Sequence, residues 1–158
     1  MEVSFREITT ANFRECVQLK VRDDQPFVAA NVYSIAQAKV EPKWITRAIY
    51  ADDQMVGFLM YELNHKEGEL YLCRFMVDHR FQHMGFGRAA LEMLKRTAMA
   101  DPSIYKVVLS TSPKNEYGIR VYTRFGFQDT GILHGDEEVF ELDLGKDPVP
   151  RVGNRDDG

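Results

Sequence analysis

Six residues, Gln82-His83-Met84-Gly85-Phe86-Gly87, lie between an apolar run, Leu70 to Val77, and a helix-like segment from Arg88 to Ala100. A strand that ends in a glycine turn and leads into a helix offers backbone N–H groups and the positive end of the helix dipole to an anion. Gly85 and Gly87 let the backbone approach a ligand with no Cβ in the way. The chemistry implied is the binding of a phosphorylated cofactor. A second constellation lies downstream: Asn115 opens a helical segment, Tyr122 sits within it, and Phe125-Gly126-Phe127 closes it. By pattern alone Tyr122 reads equally as an aromatic on an amphipathic helix or as a phenol that donates a proton. Asn115 is placed to cap its helix. The histidines (His65, His79, His83 and His134) fall in separate predicted turns without ligand spacing, which argues against a metal site. Cys16 and Cys73 sit in different apolar segments with no CxxC pair, so they read as buried thiols. Nothing near Cys73 in the sequence marks it as an acyl-carrying nucleophile.

The elements that must position these residues follow from periodicity. Val3–Ile8 alternates as a first strand, and Thr9 or Thr10 can cap a helix over about 11–20. Phe27–Lys39 has Val28, Val32, Ile35 and Ala36 at helical spacing, and Pro42 closes it. Trp44–Ala51 and Met55–Asn64 are β-rich and joined by Asp52-Asp53-Gln54, a hairpin signal. Glu69–Asp78 places Tyr71, Cys73, Phe75 and Val77 on one face and Leu70, Leu72 and Met76 on the other, so it is a central strand. The next helix turns Ala90, Leu91, Leu94 and Ala98 inward. Tyr105–Thr111 is a buried strand, Asn115–Arg124 a short helix, and Phe127–Thr130 and Glu138–Leu144 are the last strands. This order predicts an α/β (α+β) domain, a mixed and mostly antiparallel sheet flanked by helices.

The 158 residues fit one domain over residues 1–145, with a Pro-, Gly- and charge-rich tail over 146–158 expected to be disordered. A formal net charge of -4 argues against generic nucleic-acid binding. The charged amino-terminal residues lack the apolar stretch of a signal, and no segment is apolar enough to span a membrane, which together predict a cytoplasmic protein.

The run strand, Gln-x-x-Gly-x-Gly, helix, strand, then Asn115…Tyr122 and Phe125-Gly126-Phe127 resembles the GNAT superfamily of N-acetyltransferases, over roughly Val3 to Leu144. Finer likeness to spermine/spermidine acetyltransferases lies in Phe27–Ser34, Gly57–Tyr61, Leu70-Tyr71-Leu72 and Asn115-Glu116…Ile119…Tyr122. The resemblance implies a GNAT-like acyl-CoA N-acyltransferase fold, acetyl coenzyme A as co-substrate and a small-molecule amine, spermine or spermidine, as acceptor. It implies that Gln82, His83, Met84, Gly85, Phe86, Gly87 and Arg88 hold the pyrophosphate through their backbone, with Arg88 adding a charge-assisted contact. Phe75, Met76 and Val77 would pair with the pantetheine arm, and the Val77 N–H would stabilise the developing oxyanion. Tyr122 would donate to the leaving thiolate, and Asn115 would contact the pantetheine. The related enzymes carry a glutamate where this chain has Cys73 and an aspartate where it has Arg74. Glu62 or Glu69 could replace that glutamate as base, or Tyr61 or Tyr71 could relay through water. Glu41, Glu62, Asp78 and Glu116 are candidates to line a pocket for a cationic acceptor, and Cys73, at the position of the missing glutamate, is a further candidate to contact it. The alternatives are a peptide or aminoglycoside-like amine as acceptor, or a non-catalytic coenzyme A sensor. Family members are often dimers, so a homodimer is a further expectation.

Overall fold

The computed structural model describes residues 2–147; most of the expected tail, from residue 148 on, lies outside them. In chain order the elements are β1 (Val3–Arg6), α1 (Phe13–Gln18), α2 (Asn31–Val40), β2 (Ile45–Ala51), β3 (Gln54–Asn64) and β4 (Glu69–Val77). A 3-10 turn at His79–Phe81 leads to α3 (Phe86–Met99), β5 (Lys106–Thr111), α4 (Glu116–Phe125), β6 (Gln128–His134) and β7 (Glu137–Asp143). The strands form one sheet of seven in the order β1-β2-β3-β4-β5-β7-β6. Only the β4–β5 pair is parallel. The mixed, mostly antiparallel sheet expected from the pattern is therefore the fold.

The two faces of β3 build two cores, its alternation shifting by one at Val56, the surplus residue between the Tyr50–Met55 and Ile49–Gly57 pairs. Val56, Leu59 and Tyr61 join Ala90, Leu91, Leu94 and Ala98 of α3 on one face, with Ile119, Tyr122 and Phe125 of α4 packed against them. Met55, Phe58 and Met60 join Cys16 of α1 on the other face, with Ile35 and Ala38 of α2 behind them. Leu91 and Leu94 are each 2% exposed. Burying a leucine side chain contributes about 1.5–3 kcal/mol, so α3 is held chiefly by this stripe.

Two face assignments differ from the simple periodicities. In β4, Met60 pairs with Arg74 but Tyr61 pairs with Leu72, leaving Cys73 as an extra residue in the strand. This bulge shifts the alternation by one. Leu70, Leu72, Phe75 and Val77 consequently face the α3 side, while Cys73 and Met76 face the α2 side. In α2, Val32 is 52% exposed and Ala36 is exposed as well; the inward stripe is buried Asn31 and Ser34 with partly buried Ile35 and Ala38. Buried Asn31 ties α2 inward by donating Nδ2 to the Cys16 carbonyl at 2.9 Å.

The bulge also decides where the site can be. The parallel β4–β5 register stops at Leu72 opposite Leu109, although β4 continues to Val77. Past that point the β4 edge has no strand beside it. A bulge bends its strand, and Cys73 sits where β4 and β5 part.

Candidate active site

The parting strands open a cleft of about 730 Å³. Its walls come from β4 (Tyr71 to Val77), the β5 end (Leu109 to Thr111), the glycine loop, and α4, and Glu137 of β7 closes one side. One end is built to hold an anion. Gly85 is the N-cap of α3 with φ 87°, and His83 also has positive φ, 62°. The helix begins at Phe86, two residues earlier than its periodicity suggests. Its first cap hydrogen bond runs from Ala89 N–H to the Gly85 carbonyl at 3.1 Å, and no side chain caps it. The amides of Phe86, Gly87 and Arg88 thus have no intrahelical acceptor. A Cβ built at Gly85 would meet nothing within 4 Å, so this backbone faces open space.

Gln82 supports the loop and offers a free acceptor. Its Nε2 donates to the Val77 carbonyl at 3.0 Å and to Gln25 Oε1 at 2.8 Å. Its own Oε1 is buried without a partner. A buried, unpaired carbonyl costs about 1–3 kcal/mol and leaves an acceptor open to a donor that arrives with a ligand. The open β4 edge, the free helix amides and this orphan acceptor all fit an extended molecule that is anionic at one end and amide-bearing along its length. His83, Gly87 and Arg88 line the same cleft, and the exposed His83 ring stands edge-on to Tyr117 at 5.2 Å. Met84, 57% exposed, and Phe86, buried in the core, point their side chains elsewhere, so they can serve only through backbone.

Across the cleft stands α4. Asn115 caps it, accepting from Gly118 N–H at 3.1 Å, and its Nδ2 donates to Thr111 Oγ1 at 2.9 Å. The capping role expected from its position is therefore real, and it also lines the cleft. The Tyr122 ring packs against Phe75 at 6.4 Å and edge-on against Phe127 at 5.8 Å. Its hydroxyl has no hydrogen-bond partner among the described residues. Desolvation pushes its pKa well above the ordinary phenol value, so it stays protonated and available as a donor.

The carboxylates sort differently from the sequence reading. Glu62 lies opposite Tyr71 on β3, but its side chain pairs with Lys43 Nζ at 3.7 Å and does not line the cleft. Glu41 accepts from Trp44 Nε1 at 3.3 Å at the end of α2, also outside it. Glu69 sits at the far end of β4, and Tyr61 is in the core. Glu116 is exposed. Cys73 does line the cleft; desolvation raises its thiol pKa, which suits a packed thiol and not a thiolate nucleophile. Sequence reasoning missed Ser110 and Glu137. Glu137 is brought in by strand pairing, and no local motif announces it.

Asp78 is a structural anchor. It accepts from Lys20 N–H at 2.9 Å, Arg80 N–H at 3.0 Å and Arg80 Nε at 2.8 Å, with its side chain 2% exposed. Desolvation works to raise its pKa, but these hydrogen bonds outweigh it and the net shift is downward. A depressed folded-state pKa gives stability that is present above the unfolded carboxylate value, about 3.9, and is lost as pH falls through the folded value. Asp78→Ala should therefore cost about 1–3 kcal/mol at neutral pH by stranding these donors. Denaturant unfolding should show that difference narrowing below about pH 4.

An open strand edge leading from a helix amino terminus to a partly buried phenol has the form of a group-transfer site for an extended, anionic co-substrate. The chain belongs to the acetyltransferase (GNAT) family, which it matches over residues 4–127. Acetyl coenzyme A is the co-substrate of that family. The chain is 30% identical over 143 residues to the spermine/spermidine N(1)-acetyltransferase of Bacillus subtilis (strain 168), covering 84% of this chain and 92% of that protein. Among solved structures it resembles the PaiA N-acetyltransferase of Thermoplasma acidophilum in complex with coenzyme A, with TM-score 0.66, 13% identity, and 90% and 99% of the two chains covered. It also resembles the Vibrio cholerae spermidine N-acetyltransferase in complex with CoA and spermine, with TM-score 0.65, 14% identity, and 89% and 93% covered. At these identities the structural likeness is one of fold. Among the described residues no helix is long and apolar enough to cross a membrane, and no His, Cys, Asp and Glu cluster could hold a metal.

Proposed function

We propose that this acetyltransferase acts on a polyamine, spermine or spermidine, by direct attack of a primary amine within a ternary complex. The observation that carries the reading is the single cleft that joins the glycine loop, the free β4 edge and Tyr122. The B. subtilis relative, aligned over nearly its whole length, supports the acceptor. Acetyl coenzyme A supplies an acetyl group activated as a thioester. The α3 amides and Arg88 hold its anionic end. Backbone groups of Phe75, Met76 and Val77 align its arm along β4, with the Val77 N–H directed at the oxyanion that develops. Tyr122 Oη donates to the departing sulfur. A cytoplasmic homodimer completes the reading.

Arg74 favours a second acceptor class. It lines the cleft, donates to Gln37 Oε1 at 2.8 Å, and has no carboxylate at ion-pairing distance among the described residues. Such an arginine repels a polycation and can engage the carbonyls or carboxylates of a peptide. Thiol release should be measured with spermine, spermidine, putrescine, lysine peptides and an aminoglycoside. Turnover concentrated on spermine and spermidine supports the polyamine reading. A preference for peptides overturns it, and Arg74→Ala should then raise the peptide KM.

A further inference from the structure

The cleft holds a hydrogen-bonded chain that the acetyl-transfer chemistry described so far does not use. Tyr71 Oη lies 3.0 Å from Ser110 Oγ, and Ser110 Oγ donates to Glu137 Oε1 at 3.2 Å. The three residues come from β4, β5 and β7 and all line the cleft, as do Cys73 and Tyr122. An ionised carboxylate only accepts, so the single Ser110 proton points to Glu137. Tyr71 must then donate its own proton to Ser110 Oγ. That leaves a Tyr71 lone pair for a donor arriving in the cleft.

We propose that Tyr71, Ser110 and Glu137 form the proton relay that deprotonates the acceptor amine. This rests on the acetyl-transfer reading, not on which amine is used. An aliphatic ammonium is protonated at neutral pH and must lose a proton to attack. Its N–H bond breaks as an O–H bond forms at Tyr71. The Tyr71 proton moves to Ser110 Oγ, and the Ser110 proton moves to the Glu137 carboxylate. Ammonium and carboxylate become neutral amine and carboxylic acid, so atoms and charge balance. Glu137 opens β7 beside the exposed β6–β7 turn, where it can return the proton to water. Burial raises the Tyr71 pKa, which suits a phenol that passes a proton and does not store the charge.

Other groups facing the relay do not replace it. Arg74 on β4 cannot accept a proton. Glu62 on β3 is paired with Lys43. Glu69, Lys106 and Glu141 lie further along the sheet, with Lys106 and Glu141 3.6 Å apart. His134 is opposite Glu137 in the β6–β7 register and exposed. Trp44 contributes a ring 6.3 Å from that of Tyr71.

Glu137→Gln keeps the size of the side chain and removes the basic oxygen. At pH 7 it should lower kcat about tenfold, less than the roughly hundredfold or more of a base that touches the amine directly because Tyr71 and Ser110 remain, with Tm and coenzyme A affinity unchanged. The deficit should shrink as pH rises toward the acceptor's own pKa, about 10, where the amine arrives deprotonated. Ser110→Ala should reproduce this profile, and the double variant should lose no more than either single one. Wild-type kcat in Glu137→Gln, or a loss equal at every pH, overturns the relay while leaving acetyl transfer standing. Wild-type protein that releases no thiol with any amine overturns both.

Discussion

Tyr122→Phe is expected to lower kcat about 100-fold, equivalent to about 2.7 kcal/mol of barrier, with coenzyme A affinity little changed. The substitution removes one oxygen from a ring whose packing on Phe75 and Phe127 it retains, so the cleft wall keeps its shape. What disappears is a donor that no other group among the described residues uses and that desolvation keeps protonated. Because that raised pKa lies above the ordinary phenol range, the ratio of wild-type to variant kcat should stay constant from pH 7 to about pH 9. Steady-state kinetics at both pH values, with a calorimetric titration of coenzyme A, measure this. A kcat within threefold of wild type would remove Tyr122 from the chemistry and leave it as a packing residue on α4.

Gly85→Val should raise the dissociation constant for coenzyme A at least thirtyfold, about 2 kcal/mol. Two effects add. The N-cap of α3 has φ 87°, a conformation in which a β-branched residue is strained by about 1–2 kcal/mol, and relieving that strain in the free protein turns the first-turn amides away from the ligand. The new side chain also projects into the open space beside the unpaired amides, where the proposed anion site lies. Gly87→Ala is the control. A Cβ there would meet Phe75 Cζ and Val77 Cγ2 at 3.9 Å, ordinary contact, so coenzyme A binding should change only a few-fold. If the valine variant binds coenzyme A normally, the α3 amino terminus is not the anion site.

These residues differ in how readable they were. The α3 stripe and the loop glycines are local patterns, and they stand where the sequence puts them. The β4 bulge is a relation between two strands. Nothing in the Leu70–Val77 composition marks Cys73 as the surplus residue, so simple alternation misassigned the Phe75 and Val77 faces. On α2, buried Asn31 replaced the expected Val32 because a buried amide can offset its desolvation by bonding the Cys16 carbonyl, whereas the buried Ser34 hydroxyl has no partner among the described residues. Asn115 and Tyr122, proposed through the spacing of a family motif, both line the cleft. Glu137 was out of reach because sheet order, not sequence distance, brings β7 beside β5. Glu62 and Glu41 had suitable chemistry, but their strand and helix positions give them Lys43 and Trp44 as partners instead of the cleft.

The most direct measurement is an initial-rate experiment with acetyl coenzyme A and spermidine, following thiol release and the acetylated amine by mass. Thiol and monoacetylated product formed one to one, with intersecting double-reciprocal lines, are the predicted result, because direct attack requires both substrates in the cleft together. Coenzyme A binding without thiol release from spermidine or any other amine would contradict it and make the domain a sensor of the cofactor.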